Sequence, residues 1–442
     1  MFKKNFKAIL VFALITFQIS TLIKAESLTF EKPDLEFTLK NGLDVILKKV
    51  SDEPGIYAKL GFKNIADINL AYNIKNKGKV PYWAMINNPY TAKGEELNKL
   101  FIKLNVSCIF GKDGCDYACS STNFNEVTKL IFESLTSAQC PQKILDEDKQ
   151  ELHKEYKELQ NDFLFVLQEA AEKHFYHQHT WFKSNEEMLI NCKYITREDL
   201  LNFHKEHVNP QKMFLVVVGD FDLITIKKEI TNIFEKWENK SPAKKPINIT
   251  IPPIKIQSST EIITQGSINE TIIYACHLFP ITCDPKNYYS NILLKLYTHV
   301  LFSKTQNPLI QYIDTNFNII PTLKINDIAT EMLTFNRVIS KDEIKILINE
   351  IKMDLKDYAQ KGMSNEYLML LKKKVLLELS KSLKISKTLK TIYAELKSKD
   401  IKLNFVHQAL EEIKNITLED VNKVAKQYLN PDEWSFFILE GN

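Results

Sequence analysis

Apolar residues recur along this chain with two different periods, and the switches between them mark its elements. Leu97, Leu100, Phe101 and Leu104 repeat at helical spacing, as do Ile226, Ile230, Ile233, Phe234 and Trp237, and later Ile344, Leu347, Ile348, Ile351 and Leu355. Such spacing lines one side of an α-helix, so an amphipathic helix is expected at each. Elsewhere apolar residues run without interruption. Met213-Phe-Leu-Val-Val-Val218 and Ser435-Phe-Phe-Ile-Leu439 read as strands covered on at least one face. Between Leu35 and Leu47, Asn41-Gly42 separates two β-rich runs, the strongest short signal of a hairpin. Glu261–Thr264 and Thr271–Ala275, on either side of Gly266 and Asn269, are compatible with the same opening in the second half.

The pattern is written twice. Ile195-Thr-Arg-Glu-Asp-Leu200 leads to His207-Val-Asn-Pro210, and Ile416-Thr-Leu-Glu-Asp-Val421 leads to Tyr428-Leu-Asn-Pro431, at one offset of 221 residues (416 − 195, 431 − 210). A lobe of about half the chain is therefore expected to be duplicated. Both copies make local sense: Thr196 and Thr417 are placed to cap a helix, with Asp199 and Asp420 completing a capping box, and each proline ends its helix before a strand. The expected fold class is α+β, two duplicated lobes, each a mainly antiparallel sheet with helices packed on one side. The lobes are placed at 26–240 and 256–442. Residues 241–255 are the linker, since Ser241–Pro253 holds four prolines and two adjacent lysines. A length of 442 residues, beyond what one hydrophobic core serves, agrees with two lobes.

The 58 basic side chains nearly balance 55 acidic ones, which predicts a soluble protein and no nucleic-acid partner. The first 25 residues differ from the rest: Lys3, Lys4 and Lys7 precede the apolar run Ala8–Phe17, and Ala25 offers a small residue for cleavage. Residues 1–25 thus read as a signal peptide, making the protein exported, periplasmic if bacterial, and membrane-anchored if the segment is not cut. No later segment is apolar enough to span a bilayer. Seven cysteines form no CxxC pair, which argues against a structural zinc knot. A bridge among Cys108, Cys115 and Cys119 and a role as buried small hydrophobes both stand. With 11 glycines and neither a P-loop, Gly-x-Gly-x-x-Gly nor Gly-x-Ser-x-Gly, nucleotide and serine-hydrolase chemistry find no support.

Several segments carry a resemblance. Leu39-Lys-Asn-Gly-Leu-Asp-Val45, His179-Thr-Trp181, the Ile195–Pro210 stretch and Val216-Val-Val-Gly-Asp-Phe-Asp222, set in a duplicated α+β chain, resemble the insulinase/pitrilysin zinc metallopeptidases and their mitochondrial processing peptidase and respiratory core-protein relatives. The likeness spans essentially the whole mature chain. It implies an inverted zinc motif, His-x-x-Glu-His, on an early helix: two imidazoles one turn apart bind the metal, and the glutamate between them activates its water. The corresponding segment here is Gly78–Thr91, where Pro81 and Met85 stand at the histidine positions and Ala84 at the glutamate. Proline offers no donor atom, a thioether is a poor zinc ligand, and alanine accepts no proton. On a later helix, Asp148 and Glu155 resemble the family's paired acidic positions, with Glu155 as the remnant third ligand. Without histidines, Glu155 is expected to be a solvated or ion-paired helix residue. The family's substrate-holding arginine and tyrosine fall on Leu309–Pro321, where Asp314 and Pro321 replace them and Tyr312 and Arg337 lie nearby.

One other metal arrangement is available, His174, His177 and His179, although the resemblance gives His179 a structural place; His153, beside Glu155, reads as a surface histidine. Three functions follow. The favoured one is a non-catalytic subunit, without a cofactor, in a heterodimer with a zinc-bearing homologue that closes around a peptide or unfolded polypeptide. The second is an atypical zinc metalloendopeptidase with other ligands, and only there is zinc expected. The third is a structural scaffold like the respiratory core proteins. The first leads because the missing groups are the chemistry itself.

Overall fold

The turn at Asn41-Gly42 forms as its residues dictate. It joins β1 (Leu35–Thr38) to β2 (Asp44–Lys49), antiparallel with Thr38 opposite Asp44. Gly42 takes a φ of 96°, and a Cβ there would sit 2.6 Å from Gln211 Cγ, so both backbone and space require glycine. Asn41 Nδ2 donates to the carbonyls of Phe234 at 2.6 Å and Trp237 at 3.1 Å, holding the turn against a helix end far along the chain. The computed structural model describes residues 30–51, 54–64, 96–111, 113–137, 139–177, 184–238, 258–264, 271–282, 323–325 and 328–440. The segment expected as a signal peptide and the expected linker 241–255 lie outside these.

The first half continues with β3 (Ile56–Phe62), α1 (Leu97–Lys103), β4 (Ser107–Gly111), β5 (Gly114–Cys119), α2 (Phe124–Thr136), α3 (Gln142–Leu159), α4 (Phe163–Tyr176), α5 (Asn185–Cys192), α6 (Arg197–His207), β6 (Met213–Gly219) and α7 (Leu223–Phe234). The second half runs β7 (Thr260–Thr264), β8 (Thr271–Thr282), β9 (Leu323–Ile325), β10 (Ile328–Ile339), α8 (Ile344–Lys361), α9 (Asn365–Ser382), α10 (Ser386–Ser398), α11 (Asn404–Asn415), α12 (Leu418–Tyr428) and β11 (Ser435–Glu440). The periodic segments all form helices, and the two apolar runs form β6 and β11. Among the described residues no helix is long and apolar enough to cross a membrane.

The strands form two sheets, ordered β1-β2-β6-β3-β5-β4 and β7-β11-β8-β10-β9. Without β1, the orders correspond strand for strand. Each sheet has one parallel pair, β2 with β6 and β7 with β11, and is otherwise antiparallel. The α+β class and the duplication read from the 221-residue offset are thus present in the topology. One expectation fails: β7 and β8 are strands but do not open the second half as a hairpin, because β11 lies between them. They correspond to β2 and β3, and two β-rich runs flanking turn residues cannot reveal a third strand that inserts from elsewhere in the chain.

Alternation sorts each sheet into two faces. Val45, Leu47, Ile56, Leu60, Leu215 and Val217 face Val127 and Ile131 of α2 and Ile226 and Ile230 of α7, all buried. Each such side chain contributes about 1.5–3 kcal/mol on leaving water. The half's own helices therefore lie on one face, as their stripes predict. The opposite face receives α10 of the other half, which packs on β3 and β6. Its repeat equivalent α4 does the reverse, placing Leu167, Ala171 and Phe175 against Ile272, Tyr274, Cys276 and Phe437 of the second sheet. Each half thus lends one helix to the other's sheet. With both sheets bound in this way, Lys32–Asn442 form one compact unit.

Candidate functional site

The three degenerate motif positions, Pro81, Ala84 and Met85, lie outside the described residues, as do Tyr312, Asp314, Pro321, His179 and Trp181. Asp148 and Glu155, which the resemblance gives as remnant acidic positions, both lie on α3. Glu155 is exposed and Asp148 half-buried. Seven residues along a helix separate them by about 10.5 Å, too far to share one ion. Arg337 is in β10, opposite Ile273.

Around Glu155 the structure builds an apolar cavity rather than a ligand set. Leu152, Tyr156 and Leu159 of α3, Phe165 of α4, and Met188 and Leu189 of α5 surround a volume of about 120 Å³, with Glu155 at its margin. Tyr156 Oη donates to Glu169 Oε2 at 3.3 Å, and burial together with that carboxylate pushes its phenol up. One helical turn before Leu152, Lys149 Nζ donates to the carbonyl of Ile195 at 2.6 Å and fixes α3 to the loop before α6. Cys140 and Cys192 sit close to Asp148, and burial, with the Asp148 charge assisting, raises both thiols above their usual range.

The two described histidines of the other candidate set, His174 and His177, turn to different partners. His174 Nδ1 lies 3.1 Å from Glu261 Oε1 and its ring meets Phe437 edge-on at 5.8 Å, so it faces the second sheet. His177 Nδ1 turns back to the carbonyl of Lys173 at 3.0 Å, within its own helix end. His153 is exposed on α3. Among the described residues no three His, Cys, Asp or Glu side chains converge in a way that could hold a metal ion. A hydrolytic zinc centre needs imidazole or thiolate donors around an open position. Among the described residues, the donor at this place is one exposed carboxylate beside an apolar cavity.

The charged groups that the fold does assemble lie where α10 crosses the first sheet. Lys59, in the middle of β3 and nearly buried, donates to Asp113 Oδ2 at 2.6 Å and Asp116 Oδ2 at 2.9 Å. Lys390 of α10 pairs with the other oxygen of Asp116. Burial works against the charge on Lys59, but the two aspartates outweigh it and hold its amine above the usual range. Burial likewise opposes ionisation of Asp116, and Lys59 and Lys390 reverse this and hold its carboxyl low. At the other end of the helix Lys397 reaches Glu36 at 2.6 Å and Asp44 at 3.9 Å. The sequence reading missed this network. A lysine inside the apolar strand Ile56-Tyr-Ala-Lys-Leu-Gly-Phe62 was its available signal, since a buried lysine requires partners.

Residues 194–375 match the family model described as the peptidase M16 inactive domain, a stretch that begins before α6 and crosses the expected linker. Comparison with curated proteins finds no match. Among solved structures, a protease from Helicobacter pylori is similar with a TM-score of 0.74 and 15% identity, over 93% of this chain and 100% of that one. The first half of the periplasmic protease PqqL from Escherichia coli gives 0.69 and 15%, over 94% of each chain, and the whole of PqqL is covered to 48% of its length. A chain of complex III2 from Candida albicans gives 0.61 and 14%, over 92% of this chain and 95% of that one. At these identities the structures speak for the fold. Over residues 194–375 the sequence is similar to the peptidase M16 inactive domain, and over more than nine-tenths of its length the chain shares the fold of these M16-like structures.

Proposed function

We propose that the chain is an exported, non-catalytic M16 subunit that pairs with a zinc-bearing homologue and helps to enclose a peptide or unfolded polypeptide. The observation that carries this reading is the donor set: Pro81, Ala84 and Met85 stand where the resemblance puts the motif, and Glu155 has no partners for a metal among the described residues. The matching family model, itself described as an inactive domain, supports it. The Lys3, Lys4, Lys7 and Ala8–Phe17 pattern, together with the periplasmic source of that neighbour, supports export.

The test is co-expression with an M16 homologue that carries His-x-x-Glu-His. The expected result is a one-to-one complex that copurifies, with zinc bound by the homologue alone and peptide cleavage abolished by altering the homologue's glutamate. Stoichiometric zinc in this chain purified alone, with chelator-sensitive cleavage of an unstructured peptide, would establish the atypical peptidase instead. Failure to form any complex removes the subunit reading. Mass spectrometry of the secreted protein should find a new N-terminus close to Ala25, and retention of Met1 on a water-soluble cytoplasmic product would exclude export.

A further inference from the structure

The hairpin of β4 and β5 forms one margin of the first sheet and carries Cys108, Cys115 and Cys119. Its register sets Cys108 opposite Tyr117, so Cys115 and Cys119 are the two diagonal neighbours of Cys108 on one face. Strand twist makes those diagonals unequal, bringing one partner nearer than the other. Cys108 Sγ lies 3.4 Å from Cys115 Sγ. A disulfide requires about 2.05 Å between sulfurs, so the remaining approach is about 1.3 Å, which closure of the bridge takes up in side-chain rotation and a small shift of β4 toward β5. The two thiols differ in access: Cys115 is 1% exposed, whereas Cys108, on the outermost strand, is only partly covered.

We propose that Cys108 and Cys115 are joined by a disulfide across this hairpin when the protein meets an oxidising thiol–disulfide couple, with Cys108 reacting first. The Cys108 thiolate attacks a disulfide of the oxidant, a small-molecule or protein disulfide, and expels one of its sulfurs as a thiol. The resulting mixed disulfide on Cys108 is attacked by the Cys115 sulfur, which breaks the bond to the oxidant and releases its second thiol. Two protein thiols lose two protons and two electrons, and one oxidant disulfide becomes two thiols. Burial, and secondarily the neighbouring Cys108, raise the Cys115 thiol well above its usual range, which suits it to the second, intramolecular step rather than to attack on a dissolved oxidant. The bridge pins β4, a strand of five residues with a single neighbour among the described strands and an exposed Ile109, to the body of the sheet. The inference does not rest on the subunit reading and is tested without a partner.

The full chain is equilibrated with reduced and oxidised glutathione over a range of ratios, quenched in acid, denatured, alkylated and mapped without reduction. The expected result is the loss of two alkylatable thiols and a cross-linked peptide joining Cys108 to Cys115 at ratios typical of secretory compartments. C119S should leave the cross-link unchanged, and C108S and C115S should each abolish it. C115S should accumulate glutathione on Cys108, and C108S should leave Cys115 unmodified. Should either serine variant fail to fold, the wild-type map still decides. Alkylation of all thiols at every ratio, or a bridge to Cys119 in place of Cys115, overturns the proposal.

Discussion

His277 shows how a single residue couples this fold to pH. It lies in β8, fully buried between the rings of Trp434, 5.9 Å away, and Tyr428, 6.2 Å away, with Glu433 Oε2 3.8 Å from its Nε2. Burial drives its imidazole down from 6.5 to about 4. In the unfolded chain the ring protonates at its ordinary value, so the folded state binds fewer protons between pH 6.5 and 4. The stability linked to this histidine is therefore complete above pH 6.5 and lost as pH falls toward 4, a change of about 3 kcal/mol. Urea midpoints measured from pH 7.5 to 4 should fall more steeply for the wild type than for His277→Gln. Equal slopes would show that the ring titrates normally in the folded protein. Nothing in the neighbouring residues Cys276 and Leu278 announces this burial, which comes from residues of the last helix and turn. Gly42, in contrast, was legible, because the demand for a positive φ arises within its own turn.

At the scale of elements, local grammar was the most readable layer. Thr196 and Asp199 form both hydrogen bonds of a capping box, 3.1 Å from the Asp199 amide and 2.9 Å to the Thr196 amide, and Thr417 and Asp420 repeat it at 3.2 and 2.8 Å. Asn209 and Asn430 then each accept from a backbone amide in the turn opened by Pro210 and Pro431. Thr196→Ala and Thr417→Ala should each cost about 1 kcal/mol, and the double variant about their sum, since the boxes share no partner. Chemical denaturation checks this, and two single variants with unchanged midpoints would remove the caps as stabilising features. Partner choice among elements was less legible. The amphipathic stripe of α10 states that one side is buried but not on which sheet, and α4 carries the same ambiguity.

Across the whole molecule, the exchange of α4 and α10 is what makes two repeats one body. Lys390 of α10 pairs with Asp116 and Lys397 with Glu36, with Ile392, Tyr393 and Leu396 buried between them and Leu389 buried beside Lys390. Lys390→Met leaves Asp116 with Lys59 alone, and a loss of about 1–3 kcal/mol is expected, smaller than for a fully orphaned charge. A double-mutant cycle of Lys390→Met with Asp116→Asn should give a coupling of about 1 kcal/mol. No coupling would mean that apolar packing alone seats the helix. The sequence by itself determined the helices and strands whose hydrophobic period it carries, the two Thr–Asp capping boxes and the duplicated topology class, because period and capping are properties of residues and their near neighbours. Only the tertiary structure decided which sheet each helix covers, that β11 inserts between β7 and β8, that Lys59 and Lys390 share Asp116, and which thiol meets Cys108. Those outcomes depend on contacts between segments far apart in the chain, where many pairings satisfy the same local pattern and only simultaneous burial and charge pairing select one.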